Sequence, residues 1–103
     1  MKEQSALSTE YVEVGIGATA ADGTPVDVAA LAVDLAIVPT AQGDPLEGDW
    51  APAEHLRPGV VGVLVGPYGS NPRVLARGDY TVWHRTTDTP ERPVDSAGRL
   101  RIT

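Results

Sequence analysis

Short runs in which apolar and polar side chains alternate residue by residue, cut apart by glycine and proline, dominate this 103-residue chain. A two-residue period places successive side chains on opposite faces of an extended backbone, so such runs fit half-buried strands. From Glu10, the residues Val12, Val14, Ile16 and Ala18 alternate with Tyr11, Glu13, Gly15 and Gly17. Residues 21–25, Ala-Asp-Gly-Thr-Pro, then break the run as a turn. A second run puts Leu31, Val33, Leu35 and Ile37 on one face and Ala30, Ala32, Asp34 and Ala36 on the other. Its alanines would also tolerate a helix, but helical spacing would scatter the four large aliphatics, and Pro39 closes the run.

The stretch from Thr40 to Gly59 is rich in Gly, Pro and acids and reads mostly as loop, with a short extended piece over residues 49–53 and Trp50 anchoring it to the core. Between Gly59 and Gly66, Val61, Val63 and Val65 share a face, with Val60, Gly62 and Leu64 opposite. That pattern fits a strand covered on both sides or one lying in an interface. Residues 66–72 form a loop, a short strand is expected over residues 73–76, and a turn follows at Gly78. Tyr80, Val82 and His84 then face one way and Thr81, Trp83 and Arg85 the other, and a closing strand sets Leu100 and Ile102 against Arg99, Arg101 and Thr103. Six or seven short antiparallel strands with no convincing amphipathic helix point to an all-β sandwich, with an immunoglobulin-like arrangement favoured over a barrel. Leu75, Gly78, Tyr80 and Val82 resemble the turn-then-Tyr entry to the penultimate strand of such sandwiches, where the hydroxyl satisfies backbone groups across a corner. Residues 1–8 are polar and unpatterned and read as a flexible arm, leaving residues 9–103 as the single domain.

Composition sharpens the expectation. Apolar residues make up 42% of the chain, but there is no Phe, and Trp50, Trp83, Tyr11, Tyr68 and Tyr80 are the only aromatics. A thin core built from Val and Ala and anchored by the two tryptophans follows. The absence of cysteine excludes a disulfide framework, a Cys-ligated zinc site and a thiol nucleophile. No stretch is long and apolar enough to span a bilayer, and the first residues lack the pattern of a signal peptide, so no membrane partner is expected. A net charge of −6 argues against a nucleic-acid surface, which requires clustered Lys and Arg. Residues 1–72 hold only Lys2 and Arg57 against ten acids, whereas residues 73–103 hold six arginines against four acids. Such a division is able to orient subunit contacts, although arginines on solvent-facing strands account for it more simply.

Catalytic chemistry is nearly absent from the sequence. His55 and His84, the only histidines, stand in no metal-ligand spacing, and Glu54 and His55, being adjacent, would point to opposite faces of a strand. Asp44, Glu47 and Asp49 form an acidic loop without the alternate-position ligands of a calcium hand. Ser70 lacks a nucleophile elbow, and its loop lacks the Lys of a phosphate cradle. Arg77-Gly78-Asp79 spells an integrin-binding tripeptide, but each residue is explained by the turn it makes. No catalytic residue, metal site or cofactor is expected, and the chain is not expected to be an enzyme.

Leu64-Val65-Gly66-Pro67, Gly78-x-Tyr80-x-Val82-Trp83, Thr87-Asp88-x-Pro90-Glu91 and Gly98-x-Leu100-x-Ile102, with Asp49-Trp50 before them, are motifs that the chain shares with a known group. Through them it resembles small immunoglobulin-like proteins encoded among the virion structural genes of tailed phages and prophages of actinobacteria. The likeness covers about the last forty residues and Trp50. It implies a building block of the particle, assembled in the host cytoplasm: a capsid decoration or minor capsid protein docked on the major capsid protein, with a head-to-tail connector or tail subunit as the alternative. Many copies or a homo-oligomer, other virion proteins as partners, and contacts through the N-terminal arm or through Trp50, Tyr68, Leu64 and Tyr11 are the corresponding expectations. Where the relatives have an apolar residue after the Trp, this chain has His84. A carbohydrate- or receptor-binding sandwich is the remaining alternative, and burial of both tryptophans would count against it.

Overall fold

In the computed structural model, which describes residues 2–16, 31–69, 73–87, 92 and 94–103, the chain is all-β in two sheets. The expected turn over residues 21–25, the loop around Ser70 and the positions of Ala18, Asp88 and Glu91 lie outside the described residues. The strands are β1 (Lys2–Gln4), β2 (Glu10–Gly15), β3 (Ala32–Pro39), β4 (Trp50–Pro52), β5 (Glu54–Arg57), β6 (Val60–Val65), β7 (Gly78–Thr87) and β8 (Val94–Ile102). A five-stranded sheet runs β1-β8-β7-β3-β4 and a three-stranded sheet runs β2-β6-β5. Every pairing is antiparallel except that of β1 with β8.

The alternating runs become strands because one face of each is buried between the sheets. Val12, Val14, Val61, Val63 and Val65 from the smaller sheet meet Val33, Leu35, Ile37, Tyr80, Val82, Leu100 and Ile102 from the larger in one core. Neither tryptophan belongs to it, which corrects the expectation of a Trp-anchored core. Trp83 follows the buried Val82, so the pleat turns it to the outside of the larger sheet. There Ala36 pairs with Trp83 on one side and Trp50 on the other, and it is fully buried by that company.

Three further expectations are overturned. The supposed flexible arm carries β1, whose Gln4 is 3% exposed and donates from Nε2 to the Val65 carbonyl at 2.8 Å, joining the first strand of the larger sheet to the smaller sheet. A polar residue with a backbone partner in the other sheet is held by that contact, which hydrophobic patterning does not reveal. Residues 54–57 form a strand although their sequence has no alternation, because β6 offers a paired edge. The strand expected at residues 73–76 reduces to one bridge, Arg73 to Gly66. Beyond it the stretch has no neighbouring strand among the described residues, and the Tyr80 hydroxyl donates to the Ala76 carbonyl at 2.7 Å, making the backbone corner expected of that Tyr. The charge imbalance along the sequence is met in part by contacts within the fold. Arg85 reaches Asp34 and Glu47, and Arg101 lies between Asp79 and Glu3, while Arg99 forms no ion pair with a described carboxylate.

Candidate docking surface

The four residues expected to make contacts do not converge on one face. Tyr11 and Leu64 are direct cross-strand partners on the outer side of the smaller sheet, since their neighbours Val12, Val63 and Val65 point into the core. Leu64 is 40% exposed. Tyr68, 75% exposed, follows β6 at the same end of that sheet, where its N–H donates to Thr9 Oγ1 at 3.0 Å. Trp50 lies on the other sheet, half-buried.

The outer face of the smaller sheet is built around Gly62, which pairs with Glu13 on one side and Glu54 on the other. With no side chain there, Leu56 and Tyr11 close over the strand: a Cβ at Gly62 would stand 2.8 Å from Leu56 Cδ1 and 3.6 Å from Tyr11 Cδ1. Tyr11 donates its hydroxyl to Glu54 Oε2 at 2.8 Å, and this contact with a carboxylate raises the phenol above its ordinary pKa. Arg57 holds Glu13 at 2.6 Å across the same face. The result is a small apolar centre of Tyr11, Leu56 and Leu64, edged by Glu13, Glu54 and Arg57. Leu56 went unnoticed in the sequence because β5 itself did, and no periodic signal marks it.

A second constellation lies on the outside of the larger sheet. Arg85, 7% exposed, donates from Nη2 to Asp34 Oδ2 at 2.8 Å and from Nη1 to Glu47 Oε1 at 3.3 Å, with its guanidinium carbon 4.5 Å from the centroid of the Trp50 ring. The Asp34 hydrogen bond leads the causes that raise the Arg85 pKa. Glu47 opens a 3-10 turn, Glu47–Asp49, whose last residue caps it: Asp49 Oδ2 accepts from the Leu46 N–H at 2.8 Å and from Gln42 Nε2 at 2.9 Å. The Leu46 N–H, with Gln42 second, holds the Asp49 carboxyl below its ordinary value. This cluster clamps the acidic loop to the sheet. Arg85 covers one face of the Trp50 ring and so reduces the ring area available for stacking on a sugar.

The remaining chemistry-bearing residues are dispersed. His55, exposed, sets Nε2 3.1 Å from the Leu31 carbonyl, and His84 pairs with Leu35 on the core side of β7. Asp79 of the Arg-Gly-Asp tripeptide accepts from Arg101 Nε at 2.8 Å. Among the described residues, no three His, Asp or Glu side chains stand close enough to hold a metal ion, and no helix is long and apolar enough to cross a membrane. No protein-family model, curated protein or solved structure matches this chain.

Proposed function

We propose that this protein is an immunoglobulin-like structural module of a phage particle, a capsid decoration or minor capsid protein held on the major capsid shell in many copies. The observation that carries the fold half of this reading is the Tyr80 corner within the strand order. In immunoglobulin-like sandwiches a Tyr near the start of the penultimate strand bonds back to the backbone a few residues upstream, as Tyr80 does to Ala76. The order β8-β7-β3-β4 facing β2-β6-β5 matches the G-F-C-C′ and B-E-D sheets of such domains. The virion half rests on the motifs shared with actinobacterial phage structural proteins.

The docking face is the outer side of the smaller sheet, where Tyr11 and Leu64 present apolar area on rigid strands. Tyr contributes contact area at modest entropic cost. Copy number in purified particles tests the role: hundreds of copies spread over the shell support decoration, and a ring of a few copies at one vertex overturns it in favour of a connector. Leu64→Asp, at an exposed position, is expected to fold normally and to be lost from particles; full incorporation of that variant would exclude this face as the contact.

A further inference from the structure

Among the described residues, the edge strand β2 borders an open seam between the two sheets and has β6 as its only sheet neighbour, and the Ile16 N–H donated to the Gly59 carbonyl at 2.8 Å fixes the phase of their ladder. By the alternation of antiparallel pairing, Glu10, Val12 and Val14 turn their backbone groups to β6, while Tyr11, Glu13 and Gly15 turn theirs away from the sheet. The Tyr11 carbonyl confirms the phase, since it accepts from Lys2 Nζ at 2.9 Å instead of from a strand. Across the seam, β1 covers β8 only from Leu100 to Ile102. A groove of about 240 Å³ lies between, floored by Val12, Val14, Val82 and Leu100 and flanked by Lys2 and Arg99.

We propose that this groove is a strand-addition site for an extended, acidic segment of another protein. Unpaired N–H and C=O groups on the β2 edge supply the backbone ladder, and the apolar floor takes one small side chain of the incoming strand. The charge is what selects an acidic occupant. No described carboxylate forms an ion pair with Lys2 or Arg99, and Glu13, the acid on this edge, is already held by Arg57. An arriving N–H replaces Lys2 at the Tyr11 carbonyl and frees the ammonium to meet a carboxylate of the segment. A second copy of this chain fits less well, because the two-fold register that pairs all three outward residues sets Glu13 against Glu13. The site does not depend on the virion reading.

Titration of the isotope-labelled full chain with two synthetic seven-residue peptides, one alternating valine with glutamate and one alternating valine with lysine, tests this by NMR. The glutamate peptide is expected to move the amides of Tyr11, Glu13, Gly15 and Arg99 saturably, and Lys2→Ala with Arg99→Ala is expected to weaken it by roughly fivefold. Gly15→Pro removes an outward N–H that the ladder to β6 does not use, at a position where a Cβ meets nothing within 4 Å. That variant is expected to remain folded and to lose the binding. Equal binding of the lysine peptide, shifts confined to the Tyr11 and Leu64 side chains, or no saturable shift at all would overturn the proposal. Concentration-dependent self-association abolished by Gly15→Pro would overturn it in favour of a second copy.

Discussion

Arg85 shows how much one side chain contributes here. It is the residue on which the acidic loop, the Trp50 ring and the strand carboxylate Asp34 all converge, and its own side chain is 9% exposed. Truncation would leave the Asp34 carboxylate half-buried without its cation, so Arg85→Ala is expected to cost about 3 kcal/mol in urea unfolding. Arg85→Lys keeps the charge but loses the planar fork and the stack, and it should fall between the two. Either change should also shift the Trp fluorescence, because Trp50 loses the planar guanidinium stacked over its ring. Asp49 is the loop's pH-sensitive group. Its carboxyl is held below its ordinary value, so its contribution is complete above the ordinary carboxylate range and is lost as pH falls through the lowered value. Asp49→Asn is therefore expected to be less stable than the parent at pH 7, with the two melting curves drawing together in acid. Tyr80→Phe removes one hydrogen bond to a carbonyl on an exposed residue, for a loss of about 1 kcal/mol with the sandwich intact.

At the scale of elements, two glycines on β6 and at its end do different work. Gly62 faces the flexible end of Leu56, which is able to move aside, but also the Val12 carbonyl oxygen at 3.0 Å, which is paired backbone and gives less, so Gly62→Ala is expected to cost about 2 kcal/mol and to disturb the Tyr11 surface with it. Gly66 has φ 143° and lies against backbone: a Cβ there would stand 2.3 Å from the Ser8 carbonyl oxygen and 2.4 Å from Thr9 Cα. Gly66→Ala is expected to cost at least about 3 kcal/mol, seen as a large drop in the urea midpoint or as failure to fold. The strands themselves divide along similar lines. β2, β3, β6, β7 and β8 were legible because their apolar period meets a core, whereas β5 exists only because β6 pairs with it. The stretch at residues 73–76 has strand-like residues but, among the described residues, no strand partner beyond that of Arg73, and it stays irregular.

For the whole molecule, the closure of the two sheets rests on a continuous aliphatic core and on a polar link at its rim. Leu35 is fully buried at its centre, and Leu35→Ala is expected to cost about 3 kcal/mol in the same unfolding experiment. Gln4 makes the link, with Nε2 donating to Val65 in the other sheet while Thr103 and Ala6 bond the two chain ends side by side. Gln4→Ala should lose about 1 to 2 kcal/mol, and hydrogen exchange should quicken in β1 and at the end of β8 before the rest. The charge division in the sequence is met in part by contacts within the fold. Arg85 and Arg101 carry the arginine-rich half into contact with Asp34, Glu47 and Glu3 of the acidic half.

By itself the sequence determined the class of fold, the strands that bury an alternating face, and the Tyr80 corner, because a two-residue period and a turn glycine are local properties of the backbone. Only the tertiary structure decided the partners of residues whose own sequence is silent. Gln4 is buried by a carbonyl 61 positions away, β5 is a strand by virtue of its neighbour, and the tryptophans cover Ala36 outside the core. The candidate surface divides in the same way. Tyr11 and Leu64 stood out as large apolar residues, but their pairing, the Leu56 beside them and the separation of Trp50 onto the other sheet follow from strand order. Strand order is set by long-range packing, and no local pattern encodes it.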